Sequence, residues 1–164
     1  MFEVSNEGGT DKPSFFSSSE EMRYPMYVIE KSFKFEAAHH LNGLPECHKC
    51  ARPHGHSYTV TFELSAPELD ATGFVTDFAH LDPVGAYIDT TLDHSYLNEL
   101  SATVTGDKAA RPLLSQPSSE HLAHHLYETA VRILSPELAS MITAVRVSET
   151  ASSRATYFPT KRSP

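Results

Sequence analysis

Residues 54–64 read HGHSYTVTFEL. His54, His56, Tyr58, Val60, Phe62 and Leu64 fall on one side of a two-residue period, and Gly55, Ser57, Thr59, Thr61 and Glu63 on the other, the signature of a β-strand with one face buried. Residues 27–41, YVIEKSFKFEAAHHL, alternate too, placing Tyr27, Ile29, Phe33, Phe35, Ala37 and His39 together. Two strand rises separate His54 from His56 by about 7 Å, within reach of one metal ion. His39, facing the same way on a neighbouring strand, is the candidate third ligand. Three histidines with a fourth position left open make a catalytic type of zinc site. His40 points to the opposite face. His48, His80, His121, His124 and His125 lack a partner in register, and surface positions account for most of them.

The rest of the chain supplies two helices and a closing hairpin. Asp82-Pro83 offers an N-cap and a first-turn proline for a helix over about residues 84–92. Residues 117–134, PSSEHLAHHLYETAVRIL, read as a capped amphipathic helix with Leu122, Leu126, Ala130, Ile133 and Leu134 on or near one face. Strands follow within 141–150 and 154–159, joined by a tight Ala-Ser-Ser turn. The order ββααββ predicts an α+β fold, a four-stranded antiparallel sheet with two helices on one face. Such a sheet leaves two edges unpaired, and its second face would need cover if lined by aromatic and histidine side chains, so self-association is expected. Residues 101–116 form a loop long for a compact domain. Residues 1–26 have the composition of a flexible tail, residues 27–160 form the domain, and 161–164 a short C-terminal tail.

The chain's 164 residues suit a single domain. Thirteen basic against 21 acidic side chains leave a net charge of −8, which argues against nucleic acid as a partner. No apolar run is long enough to span a membrane. The N-terminus lacks the layout of a secretory signal, and two cysteines three positions apart are not a disulfide framework; a cytoplasmic protein is expected. The anomaly is histidine, since five of the ten lie within residues 39–56.

Cys47 and Cys50 admit three readings: a redox C-x-x-C, the thiol half of a Cys2His2 site with His54 and His56, or a loop carrying Cys50 over the metal as a thiolate base beside Arg52. Asp93-His94 pairs a carboxylate with an imidazole, which can fix a tautomer and stabilise imidazolium. Glu149 continues the face of Val145 and Val147, where the pattern asks for an apolar residue; it is either a partnered carboxylate or an exposed strand end. Glu120 suits the first turn of a helix.

Taken in order, FEAAHHL, CARPHGHSYTV, FVTDF, LDHSYLN, PSSEHLA and VSETASSRATYF resemble the 6-pyruvoyltetrahydropterin synthase/6-carboxytetrahydropterin synthase family over residues 27–158. The resemblance implies the tunnelling fold, in which trimers close a β-barrel and stack as homohexamers. It implies one Zn2+ per subunit on His39, His54 and His56, Cys50 as general base, and Asp93 and His94 as a proton relay. It further implies that Glu149 anchors the amino and N3 hydrogens of a pterin, with Ser118, Ser119, Glu120 and Thr150 as further ring contacts.

Three residues separate Cys50 from His54, a spacing similar to the carboxy-forming bacterial branch of the family. The implied activity converts 7,8-dihydroneopterin triphosphate to 6-carboxy-5,6,7,8-tetrahydropterin, a carbon–carbon lyase reaction of deazapurine (queuosine) biosynthesis that releases acetaldehyde and triphosphate. The rivals are a 6-pyruvoyl synthase acting on the same substrate and a non-catalytic zinc-stabilised binding module using both cysteines with His54 and His56.

Overall fold

Alternation over thirteen residues each makes β1 (Tyr27–His39) and β2 (His54–Ala66) the long strands of a computed structural model that describes residues 26–102, 111–112, 114 and 116–160. They pair antiparallel from Tyr27 opposite Ala66 to His39 opposite His54, so their inward side chains coincide. Phe35 and Tyr58 stack with ring centroids 4.8 Å apart, and Val60, Phe62 and Leu64 are wholly buried.

Ser118 caps α2 (Ser119–Ile133) by accepting the His121 N–H, and Leu122, Leu126 and Ala130 lie against the sheet at zero exposure, as their spacing requires. Ile133, expected on that face, is 42% exposed, because the helix ends there and Leu134 takes the buried place. Asp82 opens α1 (Asp82–Tyr87) rather than capping it; Asp77 instead caps the 3-10 turn Phe78–Leu81 that leads in. The helix then widens into one π-type turn, Ile88–Leu92. It crosses β1 at Gly85, where a Cβ would stand 2.7 Å from the Phe33 ring. A further short helix, α3 (Pro136–Ser140), capped by Ser135, adds to the two expected from the sequence.

The sheet has five strands rather than four, and it is mixed. β3 (Ser95–Tyr96) runs parallel to β1 at Ala37–Ala38, while β6 (Ile142–Ser148) and β7 (Arg154–Tyr157) extend the other side, giving the order β3-β1-β2-β6-β7. Two residues of β3 are too few to carry a period. Within 101–116, β4 (Ser101–Ala102) pairs with β5 (Arg111–Pro112); the intervening stretch, residues 1–25 and residues 161–164 lie outside the described residues. Among those described, no helix is long and apolar enough to cross a membrane.

The helix-free face of the sheet is polar, contrary to the aromatic lining considered above. Ser32 meets Thr61 at 2.8 Å, Ser57 donates to Glu36 at 2.7 Å, and Arg146 binds Glu30 at 3.0 Å and Glu63 at 3.7 Å. The aromatic and histidine side chains share the helix-covered face. What remains of the case for self-association is the edges: β3 covers only two residues of β1, and Phe158, next to β7, is 68% exposed.

His125 is also a correction, for it is buried in the helix layer at 7% exposure. The Tyr87 hydroxyl of α1 hydrogen-bonds its Nε2 at 2.7 Å, while Thr129, Arg132, Glu128 and His124 surround it on α2. Burial first, then the Arg132 charge, lowers the imidazole to about 4. Below pH ~6.5 the unfolded chain protonates this histidine while the fold keeps it neutral, so stability falls as pH drops from about 6.5 towards 4, by up to about 3 kcal/mol. Urea unfolding at pH about 7.5 and about 5 should therefore show a smaller acid loss for His125→Gln than for the unsubstituted chain; equal losses would refute the assignment.

Candidate metal centre and adjoining cavity

The β1–β2 register sets His39 directly opposite His54 and Ala37 opposite His56, so the three imidazoles gather at one end of the strand pair. Ring centroids are 4.6, 5.1 and 4.9 Å apart, and one nitrogen from each ring lies within 4.8 Å of the others. His39 is 1% exposed. Its Nδ1–H donates to the Pro117 carbonyl, and the Nδ1–H of His54 donates to the Arg52 carbonyl at 2.7 Å.

Those two bonds fix the tautomers, leaving both Nε2 atoms as bare lone pairs. They face each other at 3.1 Å. Two lone pairs at that separation repel unless a cation lies between them or beside them, and backbone carbonyls on the far nitrogens are the usual orienters of metal-bound histidine. Burial lowers the proton affinity of His39, which also favours the neutral ligand form. The donor set therefore fits a divalent ion such as zinc. No sulfur belongs to it among the described residues.

Tyr58, four residues beyond His54 on the same face, lies with its hydroxyl oxygen 3.3 Å from His39 Nδ1. Burial and then the negative charge of Glu149 push the phenol well above its ordinary value, so it stays protonated. The strand pattern had placed Tyr58 on this face without singling it out. The Pro117 carbonyl, just before the α2 cap, is a backbone group with no side-chain signal.

A cavity of about 510 Å³ opens beside the triad and includes Cys50, Glu149 and Thr150 in its wall. Cys50 rides on the 3-10 turn Lys49–Ala51, whose leading His48 accepts the Cys50 N–H at 3.1 Å; the Cys50 carbonyl ties the turn to Leu41 at 2.8 Å. Glu149 begins the β6–β7 turn, its N–H donating to the Ser153 carbonyl at 3.3 Å. The Thr150 hydroxyl accepts the Ser153 N–H at 3.0 Å, so it already serves the turn. Lys49, Arg52 and Ser153 also line the space, although sequence reasoning had not marked Lys49 or Ser153. Cys47 is exposed and outside the cavity wall.

Asp93 and His94 are placed elsewhere. They follow α1, and His94 lines a second, shallower recess with Glu36, Gly55, His56 and Ser57. The Glu36 N–H donates to Asp93 at 2.8 Å, the Glu36 carbonyl accepts the His94 N–H, and the other Asp93 oxygen takes the His94 Nδ1–H at 2.7 Å. The Glu36 amide first, and then His94, hold the Asp93 carboxyl below the usual range. The His94 backbone is left-handed, with φ 55°, and its side chain is 79% exposed. Ser118, Ser119 and Glu120 sit at the start of α2 and line neither space; Ser118 is the cap, Ser119 is buried, and the Glu120 carboxyl is lowered by its own amide and by Ser118.

Fold and site together describe an α+β domain with three clustered histidines at the wall of a cavity. The family description "6-pyruvoyl tetrahydropterin synthase" matches residues 28–160, and the chain belongs to that family. It is 36% identical over 147 residues to the 6-carboxy-5,6,7,8-tetrahydropterin synthase of Synechocystis, covering 85% of this chain and 98% of that one. The enzyme of the same name from Bacillus subtilis is 29% identical over 136 residues, 82% of this chain and 87% of the relative. The structure of Caenorhabditis elegans 6-pyruvoyl tetrahydropterin synthase superposes with a TM-score of 0.66 at 28% identity, covering 84% of this chain and 99% of that one.

If the facing lone pairs need a cation, metal and fold stability are linked. Titrating metal-free protein with zinc should raise the melting temperature by several degrees and load one ion per chain by elemental analysis. His54→Ala and His56→Ala should lose both effects; full loading of either variant would exclude the triad.

Proposed function

We propose that this chain is a zinc-dependent 6-carboxy-5,6,7,8-tetrahydropterin synthase, converting 7,8-dihydroneopterin triphosphate to 6-carboxy-5,6,7,8-tetrahydropterin with release of acetaldehyde and triphosphate. The observation that carries the reading is the meeting of Cys50 and Glu149 with His39, His54 and His56 at one cavity. The names of the Synechocystis and Bacillus relatives and the three-residue interval between Cys50 and His54 favour the carboxy product.

The division of labour follows from position. His39, His54 and His56 would hold zinc, which when bound supplies Lewis-acid polarisation of substrate hydroxyl oxygens. Cys50 takes protons from the neighbouring carbons as the general base. Glu149 accepts two parallel N–H bonds from the pterin, geometry that suits a carboxylate and fixes the ring. The buried Tyr58 keeps the His39 ring in place through its hydroxyl.

Asp93 orients His94 for proton exchange at oxygen, and Ser118, Ser119, Glu120 and Thr150 complete the pterin's surroundings. Since the first five of these lie outside the cavity wall of their own chain, assembly into a homohexamer, a dimer of barrel-closing trimers, would bring them to a neighbour's cavity. The incomplete edges of the sheet and the exposed Phe158 support that assembly.

Incubation of zinc-loaded protein with dihydroneopterin triphosphate should yield acetaldehyde and a carboxylated pterin by mass spectrometry. A pyruvoyl product without acetaldehyde would instead assign the other branch of the family. Cys50→Ala should keep one zinc per chain yet lose at least a hundredfold in turnover; Glu149→Ala should keep metal and fold and bind pterin about tenfold or more weakly. Wild-type affinity in Glu149→Ala would remove the anchor role.

A further inference from the structure

Lys49 and Arg52 stand three residues apart at the start and end of one 3-10 turn, with Arg52 as its C-cap. In such a turn positions i and i+3 eclipse, so the two side chains leave the turn on the same side. Both line the cavity, both are exposed, and Cys50 lies between them in sequence. The turn is held at both ends: Arg52 N–H reaches the Lys49 carbonyl at 3.4 Å, and Pro53 keeps Arg52 extended, with φ −98° and ψ 150°.

Neither cation is ion-paired among the described residues, although the chain has a net charge of −8 and carboxylates are plentiful. Arg146 on the polar sheet face, by contrast, is held between Glu30 and Glu63. Among the described residues, the one carboxylate in the cavity wall, Glu149, comes from the β6–β7 turn. The cavity thus offers an acceptor for N–H groups from one element and two cations from another. A chain this acidic repels a polyanion at long range, so retention of one must rest on local cations.

We infer that Lys49 and Arg52 form a polyphosphate-recognition pair in the cavity lining, and that this pair selects a phosphorylated substrate over its dephosphorylated form. Arg52 offers a planar fork to two phosphate oxygens, and Lys49 a mobile point charge for a second phosphate. The identity of the ring at the other end rests on the pterin reading above, whereas the anion pair can be read by itself. The Arg52 carbonyl that orients His54 is main chain, so side-chain substitution leaves the triad's support in place.

The test uses the full-length, zinc-loaded protein and two probes in separate calorimetric titrations: inorganic triphosphate and 7,8-dihydroneopterin. Lys49→Met and Arg52→Met should each weaken triphosphate about tenfold, and the double variant more, leaving dihydroneopterin affinity, zinc content and melting temperature unchanged. Arg52→Lys, which keeps the charge and loses the fork, should fall between. Binding of triphosphate to the unsubstituted chain should weaken with added sodium chloride. If dihydroneopterin binds but triphosphate affinity is absent, or is the same in every variant, the pair is refuted and the pterin reading stands. If triphosphate binding depends on both side chains while dihydroneopterin does not bind, the anion pair stands and the pterin reading falls.

Discussion

The registration of β1 on β2 is the constraint from which the core and the site both follow. Side chains on a strand alternate with a period of two, so a slip of one residue would turn every inward group of one strand to the opposite face. With His39 opposite His54, Phe35 falls on Tyr58, Phe33 on Val60 and Ile29 on Leu64. The apolar pairs resist a slip because it would expose Val60, Phe62 and Leu64, all at zero exposure, and bury Ser and Thr hydroxyls from the far face. The energy that aligns the histidines is therefore largely hydrophobic and lies several residues from them. The histidine triad inherits its geometry from the core.

Loops converge on the end of that strand pair, each tied by a main-chain bond. Pro117, before the α2 cap, binds His39; Arg52 binds His54; Cys50 binds Leu41. Movement of any of these loops would cost a backbone hydrogen bond at or near a ligand, which is how a site built from loops can be held rigid. Asp93 and His94 are fixed as firmly, but to the peptide of Glu36, and the left-handed backbone of His94 is a conformation a non-glycine residue adopts at a cost of about 1 kcal/mol or more. The chain holds a second set of oriented groups outside its own cavity, where folding alone gains little from them.

The sequence made the two long strands, the inward histidines and the capped helix legible because each repeats a period over many residues. The same periods also place two further buried groups. His125 is three residues after Leu122 and one before Leu126, on the buried side of α2, and Tyr58 continues the face of His54 and His56. Other features left no pattern to read. β3 has two residues, α3 has five, and the carbonyls of Pro117 and Arg52 have no side chain to advertise them. The placement of Asp93 and His94 outside the cavity depends on how the turn after α1 docks on β1, a tertiary fact that spacing does not contain.

The choice of ligands has an electrostatic consequence for the cavity. Three neutral imidazoles would leave a divalent ion's charge uncancelled, whereas a carboxylate in the set would offset part of it. Glu149 lies close enough to raise the Tyr58 phenol and to oppose the lowering of His39, yet it stands outside the ligand group. Its charge is thus available to hydrogen-bond a ligand's N–H groups. Lys49 and Arg52 add positive charge to the lining, so the same space holds a carboxylate, three imidazoles and two cations. A ligand that uses all of them would combine N–H donors for the carboxylate with an anionic group for the cations.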